Sequence, residues 1–112
     1  MRLSAEPFKK IKTGQKTIES RLYDKKRRQI SIDDEIEFTC TKDPSKKILT
    51  KVKGIYKYAS FEELFSSLPI KYFGGNSKEE LLREVQTFYS RGDQEKYGVI
   101  GIKIGLIKNM PS

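Results

Sequence analysis

The sequence predicts an α+β domain, a small mixed β-barrel with about three peripheral helices, and three observations carry that prediction. Several short runs alternate apolar and polar residues with the period of two that a half-buried strand imposes. Two later segments each open on Ser-x-x-Glu and continue as an apolar stripe at helical spacing. A shorter helical pattern lies near the beginning, so three helices are inserted among the strands.

Residues 1–3 read as a short edge strand. Ser4 and Pro7 then suit a helix start, where proline's fixed φ and missing N–H are tolerated in the first turn. Phe8 and Ile11 fall on one face of this helix, and Lys9, Lys10 and Lys12 decorate the other. Gly14 stands where a left-handed terminating residue is wanted. From Thr17 the period is two: Thr17, Glu19 and Arg21 face one way, Ile18, Ser20 and Leu22 the other. With Ile18 and Leu22 in a core, Glu19 and Arg21 are expected to point out of it, with Lys16 at the bend above them. One acid and four cations follow, Asp24-Lys25-Lys26-Arg27-Arg28. They read as a solvated loop or helical turn; alternatively Arg27 or Arg28 folds back over the motif as a phosphate clamp.

Asp33-Asp34 turns the chain into residues 35–40, where Ile36, Phe38 and Cys40 alternate with Glu37 and Thr39 as a half-buried strand. Asp43-Pro44-Ser45 reads as a hairpin turn. Residues 48–58 form the next strand, with Lys51, Lys53 and Lys57 as its polar face and Gly54 marking a bulge or barrel corner. Ser60 with Glu63, and Ser77 with Glu80, open two helices. Their stripes are Phe61, Leu64, Phe65 and Leu68, ended by Pro69, and Leu81, Leu82, Val85, Phe88 and Tyr89; both read as core. Between them Tyr72-Phe73-Gly74-Gly75 is a lid or a packed connector. Residues 90–98 read as a charged loop. Residues 99–108 alternate into a closing strand, with Ile100, Ile102, Ile104 and Leu106 on one side. Gly101 and Gly105 on the other side point to close backbone approach.

The bulk chemistry narrows the function classes. A chain of 112 residues makes one domain, residues 1–112, with a single modest core. No apolar run approaches the roughly 20 residues that cross a bilayer, and no leader-like stretch opens the chain. Cys40 is the only cysteine, so no internal disulfide forms; together these features predict a cytoplasmic protein without membrane contact. Histidine is absent, which excludes Ser-His-Asp and Cys-His chemistry and argues against a structural zinc. Proton transfer would fall to Lys, Glu, Asp or Tyr. No spaced carboxylate cluster suggests a metal, and no cofactor is expected. The formal charge of +8 attracts polyanions without regard to sequence. Nothing in the pattern specifies an oligomeric state.

Gly14, Lys16, Glu19 and Arg21 spell G-x-K-x-x-E-x-R. With Glu6-Pro7-Phe8, Leu22-Tyr23-Asp24, Lys26-Arg27-Arg28, Asp34-Glu35-Ile36-Glu37-Phe38 and Tyr97-Gly98-Val99, the motif resembles the small stand-alone bacterial ASCH proteins over nearly the whole chain. That resemblance implies a PUA-like barrel with a cleft between barrel and early helix, beside the motif. It also implies RNA binding, as in some members, or hydrolysis: amidase action on modified cytidine in others, ribonuclease activity in a relative. The amidases rely on a motif lysine, matched by Lys16, and a threonine three residues later, where this chain has Glu19. Their later glutamate has no clear counterpart; the region around Phe73-Gly74 is where it would align. A carboxylate is a poor replacement for an attacking alkoxide.

The residues therefore favour recognition of RNA or a nucleotide-like ligand. Lys16 and Arg21 are suited to a phosphate or a base carbonyl, and Glu19 to an exocyclic amine. Arg27 and Arg28 are candidate phosphate contacts, and Tyr23, Tyr72, Tyr89 or Tyr97 candidate stacking surfaces. The alternative is a hydrolase with Lys16 as base or electrostatic stabiliser and Glu19 as general acid/base. A protein-interaction module would need an exposed apolar patch, which this polar sequence does not obviously supply. The plain rival is an exposed Glu19–Arg21 ion pair worth under about 1 kcal/mol, beside a solvated Lys16.

Overall fold

A single sheet of five strands curls into a half-barrel in the computed structural model, which describes residues 1–110. The strands are β1 (Arg2–Leu3), β2 (Ile18–Leu22), β3 (Glu35–Cys40), β4 (Lys47–Tyr58) and β5 (Val99–Met110), in spatial order β1-β3-β4-β5-β2. β1 runs parallel to β3, and every other pairing is antiparallel. The register slips at Val52/Gly54, so Gly54 does mark a bulge, and again at Leu49/Thr50. Four α-helices surround the sheet: α1 (Ala5–Lys12), α2 (Phe61–Ser67), α3 (Lys78–Gln86) and α4 (Arg91–Tyr97). No helix of the described residues is long and apolar enough to cross a membrane.

Helix α4 occupies residues expected to be a charged loop. It has no apolar stripe, and what forms it is a reciprocal cap: Ser90 Oγ accepts from the Asp93 N–H at 3.0 Å, and Asp93 accepts from the Ser90 N–H at 3.1 Å. At the two expected capping boxes only the serine half forms: Ser60 Oγ accepts from the Glu63 N–H and Ser77 Oγ from the Glu80 N–H, while the Glu63 carboxylate accepts from the Ala59 N–H and that of Glu80 from the Asn76 side chain. The Tyr72–Gly75 stretch is a packed connector: a 3-10 turn, Ile70–Phe73, buries the Phe73 ring.

Two apolar clusters lie on opposite faces of the sheet, and this arrangement positions the motif. The inner cluster gathers Phe8 and Ile11 of α1 with Phe38, Val52, Ile100 and Ile102 in the concavity. The outer cluster joins Ile18 and Val99 to Phe61, Leu64 and Phe65 of α2 and Leu81 of α3. A Cβ on Gly101 would stand 2.9 Å from Leu64 Cδ1, so α2 can lie against the sheet only because that position has no side chain.

The expectation that Glu19 and Arg21 point out of the core is corrected here. Glu19 registers with Ile102 and Arg21 with Ile100, and residues directly opposed across an antiparallel pair project to the same face. That face is the inside of the half-barrel. Ile18 points to the helical layer instead, so β2 is covered on both sides and neither face is simply solvent.

Candidate functional site

The site is built from the turn that joins α1 to β2. Gly14 adopts φ 82°, ending the helix, and the next residues are stapled on two sides. The Lys16 N–H donates to the Lys10 carbonyl at 3.0 Å, and the Thr17 N–H to the Tyr72 carbonyl at 2.8 Å. Lys16 is thus held between α1 and the 3-10 turn. Gly74 closes on it from the other side: at φ 76°, its Cβ position lies 2.9 Å from Lys16 Cβ. Gly74→Ala is expected to cost about 1–2 kcal/mol in backbone strain and to displace Lys16; thermal unfolding and a ligand titration read the two effects separately.

Glu19 organises the cations. One carboxylate oxygen, Oε1, receives Lys16 Nζ at 2.9 Å and the Ser20 N–H at 3.2 Å, while Oε2 receives Arg21 Nε at 2.8 Å. The Glu19 side chain is 5% exposed, with Lys16 at 13% and Arg21 at 15%. Burial alone would push the Glu19 carboxyl up, but the adjacent Lys16 and Arg21 charges and their hydrogen bonds outweigh it and hold the group below its ordinary 4.5. The exposed ion pair of the plain rival reading is therefore not what forms. Arg21 extends further: Nη2 donates to the Arg2 carbonyl at 2.7 Å. Because β1 and β2 are the two edges of the sheet, this guanidinium spans the seam where a full barrel would close.

A cavity of about 300 Å³ opens at that seam. Lys16, Glu19 and Arg21 line it together with Phe65, Phe73, Val85, Phe88 and Tyr89. Three donors on an ammonium and five on a guanidinium exceed what Glu19 and the Arg2 carbonyl use, so both cations keep N–H groups for a ligand. The carboxylate has less to offer, with three contacts already made. Chemically the cavity pairs a cationic corner, carrying a surplus of one positive charge, with an aromatic wall.

Of the residues expected at the site, Lys16, Glu19, Arg21 and Tyr89 line this cavity. Tyr23, Arg27, Arg28 and Tyr97 do not; they assemble beyond the end of β2. Arg27 Nη1 pairs with Asp24 at 3.0 Å, and Arg28 lies over the Tyr23 ring with its carbon 4.3 Å from the centroid. Arg28 Nη2 also donates to the Tyr97 carbonyl at 3.2 Å. Tyr72 lies outside the cavity lining, partly covered by Lys71.

The other lining residues, among them Phe65, Phe73, Val85, Phe88 and Glu84, were not expected at a site. Phe88 continues the apolar spacing of α3, yet the helix stops at Gln86 and leaves the ring 75% exposed at the cavity edge. Glu84, an exposed residue of α3, also lines the opening. No signal distinguished either from an ordinary helical residue.

The ASCH domain family model matches residues 1–108. The chain belongs to the ASCH family. This ASCH domain is 41% identical to the hypothetical protein PH0355, whose crystal structure superposes with a TM-score of 0.84 and with 96% of each chain covered. It is 34% identical to PF0455 from Pyrococcus furiosus, known from a solution NMR structure, with a TM-score of 0.73 over 96% of this chain and 99% of that one. An S128A mutant of ZmASCH from Zymomonas mobilis shares 16% identity and a TM-score of 0.62, over 99% of this chain and 71% of the other; at that identity the likeness shows the fold alone. No curated protein matches the chain. The half-barrel of this ASCH domain is consistent with the PUA-like fold.

Proposed function

We propose that this ASCH domain is a cytoplasmic protein that binds RNA, or a nucleotide-like ligand, in the cavity at the sheet seam. The observation that carries the reading is the buried Glu19 carboxylate holding both Lys16 and Arg21 in a cavity that aromatic side chains also line. A base needs a flat apolar surface and its phosphate or carbonyl needs cationic donors; the cavity lining supplies both. Glu19 acts in this reading as a positioning residue. With both oxygens engaged, it is better suited to fixing the two cations than to reading an amine itself. The same engagement weighs against the hydrolase alternative, which needs Glu19 free to exchange a proton with a substrate.

Labelled single-stranded RNA, titrated at about 50 and about 200 mM salt, tests the proposal. Binding in the micromolar range at low salt, weakening steeply at high salt, is expected. Phe88→Ala is expected to lower affinity about 5- to 100-fold through lost stacking, without loss of stability since the ring is exposed. Absence of micromolar binding at low salt, or an unaffected Phe88→Ala, overturns the reading.

A further inference from the structure

Beyond the cavity, five cations crowd one region with little to neutralise them. Arg28 and Lys57 both approach the Tyr23 ring, at 4.3 and 4.9 Å from its centroid, although like charges at such range repel. Lys96 Nζ lies 5.1 Å from the Tyr97 ring centroid, and Arg28 donates to the Tyr97 carbonyl, so a short 3-10 turn, Arg27–Gln29, meets α4 here. Lys25 and Lys26 stand exposed on the preceding turn. The nearby carboxylate, Asp24, is occupied by Arg27. Among the described residues none of Arg28, Lys57 and Lys96 has an ion-pair partner, although exposed Glu95 adjoins Lys96 in sequence.

This region lies across β5 from the cavity's Arg21, with the buried Ile100 between. Lys57 and Arg21 both register with Ile100, one on each side of β5, so they share a face two strand spacings apart, about 10 Å. Tyr23 follows Arg21 by two residues, about 7 Å along the chain. A polymeric anion bound at Arg21 would have Lys57 about two strand spacings away, with Arg28 beside it over Tyr23 and Lys96 beyond at Tyr97.

We propose that Arg28, Lys57 and Lys96, mounted on Tyr23 and Tyr97, form a second anion-binding surface that carries the phosphodiester backbone of a single-stranded RNA whose base occupies the cavity. The inference rests on the cavity reading above and adds that the partner is a polymer. An acidic peptide would meet the same cations, but its acidic side chains offer no flat π-face to the aromatic residues of the cavity, whereas every nucleotide of an RNA carries one.

The test compares a short oligouridylate with uridine monophosphate on the intact chain. R28Q/K57Q/K96Q is expected to weaken oligouridylate binding at least tenfold at low salt and to reduce the salt slope by about 2, as three lost single-strand phosphate contacts require. Its affinity for the mononucleotide should stay within about twofold, since these side chains lie outside the cavity. K57Q/K96Q, which leaves the Arg28–Tyr97 contact intact, should show the same trend at smaller size. Unchanged oligomer affinity and slope overturns the proposal, as does equal loss of both ligands. Polyglutamate binding as tightly as oligouridylate overturns the assignment to RNA. If Phe88→Ala leaves oligomer binding intact while the triple variant abolishes it, the cavity reading fails and the second surface stands.

Discussion

Glu19→Ala is expected to destabilise the fold by about 3–5 kcal/mol, because it leaves two largely buried cations facing each other without their counter-charge. The loss exceeds that of a surface ion pair because both cations are largely buried, and the Arg21 guanidinium is held in place by the Arg2 carbonyl as well. Glu19→Gln keeps the shape and isolates the charge. Its effect is smaller and depends on pH. The folded-state carboxyl titrates below 4.5, so in the unfolded chain it holds a proton more readily than in the native one. The stabilisation is complete above the unfolded value and disappears as pH falls through the folded one. Urea unfolding across that acid range should show wild type losing stability faster than Glu19→Gln, with the two curves converging at the lowest pH. Parallel curves would mean that Glu19 is not the ionised hub described.

The course of β2 illustrates what the sequence carried and what it could not. Period-two alternation correctly separated Ile18 from Glu19 and Arg21, because backbone pleating alone sets that pattern. Which face meets solvent is decided by elements distant in sequence. Helices α2 and α3 take the Ile18 side, and β5 supplies Ile100 and Ile102 beside Glu19 and Arg21 on the other. A strand carrying three charged or polar residues in five gives no hint that both sides are covered. The caps at Ser60 and Ser77 were legible because they precede apolar stripes, whereas the more complete, reciprocal cap at Ser90 precedes a polar segment and reads as a loop. Phe88 fails in the opposite sense. Its spacing belongs to α3, but the chain leaves the helix after Gln86, and the ring ends at the cavity edge instead of in the core. The candidate site was thus half visible. Its cations lie in one contiguous motif, while its aromatic lining is assembled from Phe65, Phe73 and Tyr89 on separate segments.

Two of the cavity's aromatic rings rest on Phe61. Phe61 is fully buried and does not line the cavity, yet its ring stacks on Phe65 at 6.0 Å and on Tyr89 at 5.5 Å, and Phe65 meets Phe73 edge-on at 4.9 Å. Its N–H donates to Gln94 Oε1 at 3.0 Å, tying α4 to α2. Phe61→Ala is expected to cost about 3–5 kcal/mol, the transfer and cavity terms of a buried aromatic combined. Phe61→Leu retains much of the volume and should cost markedly less. Chemical denaturation orders the two. Ligand affinity separates packing from site geometry: under conditions where the alanine variant remains folded, it should bind RNA more weakly, because Phe65 and Tyr89 lose the surface that fixes their rings. Full affinity in a folded Phe61→Ala protein would show that the wall holds its shape without the residue behind it, and that the cationic corner alone selects the ligand.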